Sequence, residues 1–145
     1  MPRDVDGMVH ATANRHGRST SRVVIADDDA ITRMVVKALL EREGFEVVAA
    51  RDGREAIELV ASVQPDLLLV DLNMPEMDGD DAVQVLRGNP SSAPIPIIVL
   101  TGERDPGIER RVLGMGADDY MLKPFAPNDL IARVDAALRR FNVAA

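Results

Sequence analysis

Two groups of acidic residues each follow a run of apolar residues, and their types and spacing could support chemistry. Asp71 comes directly after residues 67–70, Leu-Leu-Leu-Val, and Asp27 and Asp28 come directly after residues 23–26, Val-Val-Ile-Ala. If both runs are neighbouring strands of a parallel sheet, the three carboxylates meet at one edge of that sheet. Carboxylates held so close repel one another unless a proton or a cation is shared between them. A hard divalent cation with oxygen ligands is the natural partner.

Two further polar residues follow apolar runs in the same way. Thr101 comes after residues 97–100, Ile-Ile-Val-Leu, and Lys123 comes after residues 120–122, Tyr-Met-Leu. Ligands of open parallel sheets bind beyond the carboxyl ends of the strands, so the acids, the hydroxyl and the amine would meet there. Such a group suits metal-assisted phosphoryl transfer to a carboxylate, with the cation, hydroxyl and amine binding the phosphoryl oxygens. Each residue alone has an ordinary role, such as a helix cap, and the interpretation depends on the joint pattern.

The composition is that of one ordinary globular domain. The chain has 145 residues, of which 46% are hydrophobic and 28% are charged, and this length suffices to bury a core. No apolar run approaches the roughly 18 residues of a membrane helix, and no signal segment opens the chain. The absence of cysteine excludes disulfides and thiolate metal sites and fits a cytoplasmic protein. The net charge of −7 provides no overall basic field for direct binding of nucleic acid or a membrane.

The chain is expected to form one domain with two tails. Residues 1–21 hold glycine, serine and arginine without usable periodicity, which predicts a disordered N-terminal tail. A short basic docking arm is the alternative for this segment. Residues 22–141 are expected to form the domain, and residues 142–145 a C-terminal tail.

Short apolar runs alternate with helical patterns along the domain, which is typical of βαβ units in a parallel sheet. Strands are expected at residues 23–26, 46–50, 67–70, 97–100 and 120–122. A helix is expected after each strand: Gly44 stops the first, Asp52 and Glu55 resemble a capping box for the second, and Pro106 and Pro127 fit the first turns of the last two. The fold class is therefore α/β, a doubly wound five-stranded parallel sheet of flavodoxin-like type, a (βα)5 three-layer sandwich.

These segments resemble the receiver domains of two-component response regulators. The matching segments are residues 23–29 (VVIADDD), 71–79 (DLNMPEMDG), 97–102 (IIVLTG) and 116–125 (GADDYMLKPF). The resemblance runs from residue 22 to about residue 141, and every position that the family uses for chemistry holds the expected residue type. It implies a signalling domain rather than an enzyme. The only reactions of such a domain are its own phosphorylation from small donors and the loss of that phosphoryl group.

The resemblance implies a phosphoacceptor and a metal site. Asp71 would accept a phosphoryl group from a histidine kinase or a histidine phosphotransfer protein. Asp28 and Asp71 would bind Mg²⁺ directly, with Mn²⁺ as a substitute, and Asp27 would bind it through water. The backbone carbonyl of Asn73 would complete the protein ligands.

The resemblance also implies a switch. Thr101 and Lys123 would bind the new phosphoryl group, and a cis bond between Lys123 and Pro124 would aim the lysine at the site. When the threonine hydroxyl turns toward the phosphoryl group, Tyr120 is expected to turn inward. The surface of the fourth helix, fifth strand and fifth helix would then change and control a partner or an output domain. A half-buried strand tyrosine without a switching role is the alternative.

Two more expectations concern lifetime and assembly. Asn73 and Glu103 would flank the path of an attacking water, which predicts a labile acyl phosphate. A homodimer through the fourth helix, fifth strand and fifth helix would pair Asp119 with Arg133, and Asp129 with a basic residue of the fourth helix, across two chains. A solvated helix face is the alternative.

Two functions of other classes remain open from the residues alone. A phosphatase of the haloacid dehalogenase type also uses an aspartyl nucleophile and Mg²⁺, but it requires a second acidic residue at the position where this chain has Asn73. A flavin-binding flavodoxin-like domain wants a first loop rich in Ser, Thr and Gly, whereas residues 27–29 are Asp-Asp-Asp.

Overall fold

The structure, a computed structural model, describes residues 16–142, and for residues 141 and 142 the backbone alone. Within that range five strands alternate with five helices. The strands are β1 Arg22–Ala26, β2 Glu46–Ala50, β3 Leu67–Asp71, β4 Ile97–Thr101 and β5 Asp119–Leu122. The helices are α1 Ala30–Arg42, α2 Gly53–Val63, α3 Gly79–Arg87, α4 Ile108–Gly114 and α5 Pro127–Asn142. All five expected strands are found, β2 with its expected bounds and each of the others one residue longer.

The strands form one parallel sheet in the order β2-β1-β3-β4-β5. Every residue of β3 and β4 is buried, because helices cover both faces of the sheet. Alternate side chains point to opposite faces: Val24, Leu68 and Val70 pack with α2, α3 and α4, while Ile25 and Leu69 pack with α1 and α5. The fold is therefore the expected doubly wound α/β sandwich.

Acidic side chains begin three of the helices. The side chains of Asp29, Asp52 and Asp78 each accept a hydrogen bond from a backbone N–H in the first turn of α1, α2 and α3, as helix N-caps do. The cap at Asp52 was expected, but the second half of the capping box differs. The Glu55 carboxylate accepts a hydrogen bond from the N–H of Arg51 at 2.7 Å, one residue before the cap.

Helix α4 is short and begins later than expected. It has seven residues, its N-cap is Gly107, and no side chain caps it. Pro106 therefore lies before the helix, not in its first turn as the sequence predicted. The N–H of Ile108 donates to the carbonyl of Asp105 at 3.0 Å, which makes residues 105–108 a turn with proline at its second position, a placement that proline favours.

The described part of the predicted N-terminal tail contacts the domain. The ring Nε2 of His16 lies 3.0 Å from the Pro65 carbonyl oxygen, and Arg18 donates to the Gln64 carbonyl at 2.8 Å. Arg18 also lies 3.4 Å from the buried carboxylate of Asp66. The rest of the predicted tails, residues 1–15 and 143–145, lies outside the described residues. None of the helices in the described range is both long and apolar enough to cross a membrane.

Candidate functional site

The carboxyl ends of β1 and β3 bring three acidic side chains together. Ala26 pairs with Val70 in the parallel register, so the residues that follow, Asp27 and Asp71, lie side by side. One carboxylate oxygen from each of these two acids and from Asp28 lies within 4.8 Å of the others. Asp27 is fully buried and Asp71 is 7% exposed, whereas Asp28 is exposed. The acid cluster, Asp27, Asp28 and Asp71, therefore opens to solvent.

Lys123, directly after β5, reaches the acid cluster. Its Nζ lies 2.6 Å from Asp27 Oδ2 and 3.2 Å from Asp71 Oδ1. The peptide bond between Lys123 and Pro124 is cis, as the resemblance implied. One ammonium therefore pairs with two of the three carboxylates, and the cluster keeps an excess of negative charge.

The pKa values of these groups reflect that excess. Burial, followed by the charge of Asp27, raises the pKa of Asp71 from 3.8 to about 6, although Lys123 acts in the opposite direction. For Lys123, burial alone would lower the pKa, but the hydrogen bond to Asp27 and the charge of Asp71 outweigh it and raise the pKa. A bound cation would relieve the same repulsion without protonating a carboxylate.

Thr101 is the last residue of β4, and Tyr120 is the second residue of the neighbouring strand β5. Thr101 is fully buried, and its Oγ1 accepts a hydrogen bond from the N–H of Glu103 at 3.0 Å. The Thr101 carbonyl accepts a hydrogen bond from the N–H of Lys123 at 2.8 Å. Tyr120 is partly buried and packs against the core between the sheet and α2, α3 and α4. The threonine hydroxyl is thus engaged with the following backbone.

The Glu103 carboxylate connects the loop after β3 to helix α4. Its Oε2 accepts a hydrogen bond from Asn73 Nδ2 at 3.1 Å, and its Oε1 accepts one from Arg111 Nη2 at 2.7 Å. The hydrogen bond from Arg111, followed by that from Asn73, lowers the pKa of Glu103. Asn73 and Glu103 were expected to flank the path of an attacking water, whereas the sequence did not indicate Arg111. No periodic spacing points to Arg111, because a loop and a turn separate it from Glu103.

The loop between β3 and α3 is held by two close backbone contacts. The N–H of Gly53 donates to the Met77 carbonyl at 3.0 Å, and a Cβ on Gly53 would lie 2.3 Å from that oxygen. A Cβ on Gly79 would lie 2.4 Å from the carbonyl oxygen of Asp71. Both contacts exclude a side chain, so these glycines let the loop and the α2 N-terminus close on the strand end. Asn73 lies in this loop, and its carbonyl as a metal ligand stays a prediction.

The residues expected to join two chains pair within one chain in this structure. Arg133 of α5 donates to Asp119 of β5 at 2.9 Å and to Asp129 of α5 at 3.3 Å. Glu109 and Arg110 of α4 are exposed, and Glu109 lines the same surface cavity as Asp119, Asp129 and Arg133. A dimer through α4, β5 and α5 would require Arg133 and both acids to exchange these partners.

The family model described as "Response regulator receiver domain" matches residues 23–135. The "DNA-binding response regulator MtrA" of Mycolicibacterium paratuberculosis is 41% identical over 119 residues, which are 82% of this chain and 52% of that protein. The "Probable transcriptional regulator ycf27" of Guillardia theta is 41% identical over 86% of this chain and 48% of its own length. The chain thus spans about half the length of these curated relatives.

Solved structures are similar over most of this chain. The chemotaxis protein CheY4 of Vibrio cholerae is 32% identical with a TM-score of 0.77, covering 82% of this chain and 99% of its own. The BeF3-activated N-terminal receiver domain of Klebsiella pneumoniae RstA is 34% identical with a TM-score of 0.75, covering 81% of this chain and 98% of its own.

Proposed function

The chain belongs to the response regulator receiver domain family of two-component systems, and we propose that it acts as a phosphorylation-dependent switch with Asp71 as the phosphoacceptor. The observation that carries the proposal is the position of the Asp71 carboxylate, at the end of β3 beside two other acids and 3.2 Å from an ammonium. The donor would be a histidine kinase or a histidine phosphotransfer protein in the cytoplasm. Membership of this family also favours a switch over the phosphatase and flavodoxin alternatives.

The proposed transfer uses the ionised carboxylate of Asp71. One of its oxygens attacks the phosphorus of the donor's phosphohistidine, the P–N bond breaks, and the electron pair of that bond returns to the imidazole. The Lys123 ammonium favours the ionised carboxylate before transfer and would bind a phosphoryl oxygen afterwards. The Thr101 hydroxyl would leave the N–H of Glu103 and donate to a second phosphoryl oxygen.

The acid cluster fits a hard divalent cation. Three carboxylates with oxygens within 4.8 Å of one another supply the oxygen donors and the negative charge that Mg²⁺ or Mn²⁺ prefers, and the one ammonium of Lys123 offsets only part of that charge. Asp27, Asp28 and Asp71 would hold the ion, with the backbone carbonyl of Asn73 as a further ligand. The ion would neutralise charge on the transferring phosphoryl group.

A surface for the donor lies beside the acid cluster, at the start of α1. Ile31, Met34 and Val35 are 65%, 64% and 42% exposed, and their spacing places them on one side of the helix. Asp29, the N-cap of this helix, follows Asp28 directly. A protein that presents a phosphohistidine to Asp71 must contact the rim of the site, and we infer that this apolar patch receives it.

The output would be read on α4, β5 and α5. Thr101 connects the site to α4 through Glu103 and to β5 through the Lys123 N–H. Movement of its hydroxyl toward a phosphoryl group would weaken the first of these connections and let Tyr120 turn inward. The changed surface would then bind an effector or a second copy of the chain. The shift toward this state would be as large as the partner's preference for the phosphorylated over the unphosphorylated state. We propose no direct contact of this domain with nucleic acid.

Acetyl phosphate with Mg²⁺ tests the phosphoacceptor. The parent should gain one phosphoryl group by intact-protein mass spectrometry, and Asp71→Asn should gain none. Asp105→Asn, which removes an exposed acid of the loop before α4, should be labelled like the parent. Equal labelling of Asp71→Asn and the parent, or no labelling of either, would refute the assignment.

A further inference from the structure

We propose that Arg111 of helix α4 is a positioning residue that lengthens the lifetime of the acyl phosphate on Asp71. It would act by holding Glu103 and, through Glu103, the side chain of Asn73. This inference rests on the proposed function of Asp71. It goes further, because it assigns control of the lifetime to a residue of the output surface that does not touch the phosphoryl group.

Three contacts hold Glu103 in one place. Its backbone N–H donates to Thr101 Oγ1 at 3.0 Å, one carboxylate oxygen accepts from Asn73 at 3.1 Å, and the other accepts from Arg111 at 2.7 Å. Both carboxylate oxygens are therefore engaged, and the Asn73–Glu103 contact joins the loops that follow the neighbouring strands β3 and β4. This link lies where the two loops leave the sheet beside Asp71.

Arg111 decides whether that link persists. The Glu103 side chain is 30% exposed and the Arg111 side chain 51% exposed, so Glu103 would turn to solvent if the guanidinium were absent. A neutral amide donor such as that of Asn73 holds a carboxylate less strongly than a charged guanidinium does. Arg111 also lies in the field of two other acids, Asp105 and Asp80, which offers it alternative partners when α4 moves.

The link affects hydrolysis because of the direction from which water must attack. Water attacks the phosphorus opposite the Asp71 oxygen, the bond between phosphorus and that oxygen breaks, and its electron pair returns to the carboxylate. The acyl phosphate and water thus yield the free Asp71 carboxylate and dihydrogen phosphate. A closed Asn73–Glu103 link restricts the approach of water, whereas a released Glu103 opens it and can accept a hydrogen bond from the water. Loss of Arg111 should therefore accelerate hydrolysis.

A partner on α4 would use the same contact. A protein or second copy that binds the Arg111 guanidinium would withdraw it from Glu103 and shorten the lifetime of the acyl phosphate. The coupling is reciprocal for the equilibria involved, since phosphorylation that displaces Glu103 also frees Arg111 for the partner. The output surface and the clearance of the signal would thus share one side chain.

The test is the rate at which the phosphorylated full chain loses its phosphoryl group. The protein is labelled with acetyl phosphate and Mg²⁺, freed of donor by rapid desalting, and followed by intact mass. Arg111→Ala should lose the group about two- to fivefold faster than the parent, a range that corresponds to one exposed ion pair. Arg111→Lys should lie closer to the parent, and Arg110→Ala, its exposed neighbour, should match the parent.

A double-mutant cycle separates positioning from a general structural effect. In a Glu103→Ala background, Arg111→Ala should change the rate no further, because Arg111 acts through Glu103. The same acceleration in both backgrounds, or a parent-like rate of Arg111→Ala, would overturn the inference. If the parent takes up no phosphoryl group on Asp71, the proposed function and this inference both fail. If Asp71 is labelled and Arg111→Ala matches the parent, only this inference fails.

Discussion

Replacing Asp71 with asparagine should stabilise the metal-free protein at neutral pH. The carboxylate is buried beside Asp27, and burial together with that charge raises its pKa from 3.8 to about 6. Asparagine has nearly the same shape and carries no charge, so it removes the repulsion and retains the packing. A residue proposed to carry the reaction would then lower the stability of the resting fold.

The size of the effect follows from the pKa. A rise of about two pKa units at about 1.4 kcal/mol per unit corresponds to about 3 kcal/mol. Because the pKa is higher in the folded state than in the unfolded chain, protonation stabilises the fold. This contribution is fully present below about pH 4 and is lost as the pH rises through about 6. Above that pH, the parent should be less stable than Asp71→Asn by up to about 3 kcal/mol.

The measurement is the free energy of unfolding by urea in the presence of EDTA, for both proteins between pH 4 and pH 8. The stability difference should grow from a small value near pH 4 to its full value by about pH 7. Asp105→Asn, which alters an exposed acid, should show no such growth. Mg²⁺ should then stabilise the parent more than Asp71→Asn, because an ion bound only by the folded state adds to its stability.

The urea measurement tests charge repulsion within the acid cluster. If Asp71→Asn is no more stable than the parent at pH 7.5 without metal, and the difference does not vary with pH, repulsion within the acid cluster is not a significant term. The ion would then have no excess charge to neutralise, and the argument for the metal site from the folded protein would be lost.

Three further changes test other parts of the structure. Gln64 caps the C-terminus of α2 with a φ of 52°, in the left-handed region that favours glycine. Gln64→Gly should therefore raise the free energy of unfolding by about 1 kcal/mol, whereas Gln64→Ala should not. Arg87 donates to three backbone carbonyls and to Asp118, so Arg87→Met should lower the free energy of unfolding by about 3 kcal/mol in the same urea assay. Met34→Glu, in the apolar patch of α1, should slow phosphoryl transfer from a phosphotransfer protein about tenfold and leave labelling by acetyl phosphate unchanged. Val85→Glu, at an exposed position of α3, should change neither the transfer nor the labelling.

The strands could be predicted from the sequence because they are buried on both faces. Residues 67–71 and 97–101 contain only one polar residue each, at the last position, so a short apolar run marks both the strand and its end. The same rule located the side chains that meet at the carboxyl edge, since in a parallel sheet all strand ends face the same way. The prediction of the cluster thus needed only the strand ends and the parallel arrangement.

The contacts that the sequence did not indicate join a helix residue to a loop residue outside that helix. Arg87 and Asp118 are 31 residues apart, and Glu103 and Arg111 are joined across a turn and the start of α4. Neither pair has the three- or four-residue spacing that would reveal it on one helix. The start of α4 was also misplaced, because Pro106 is compatible with both a helix N-terminus and a turn.

Acids at the other edge of the sheet provide a comparison for the proposed site. Asp66 comes directly before β3 and is fully buried; it accepts the N–H of Arg22 at 2.8 Å and lies 3.4 Å from Arg18. Asp118 comes directly before β5, accepts a hydrogen bond from Arg87 at 2.9 Å and accepts the N–H of Ile97. Each of these acids therefore has an arginine and a backbone donor.

At the carboxyl edge there are fewer cations for each acid: among the described residues Lys123 alone forms an ion pair with the three clustered acids, and it contacts only Asp27 and Asp71. The same residue type thus serves two purposes in one sheet, and the number of cations beside each acid distinguishes them. Acids with an arginine of their own tie a strand start to a helix or loop, and their charge is already balanced. The acid cluster carries excess negative charge and opens to solvent. A cation would bind there, and the proposed phosphoryl transfer would take place at the same opening. A lysine added there, as in Asn73→Lys, should therefore stabilise the metal-free fold and weaken the binding of Mg²⁺ measured by calorimetry. The control is Asn89→Lys, at an exposed position of the opposite edge of the sheet, which should leave Mg²⁺ binding unchanged.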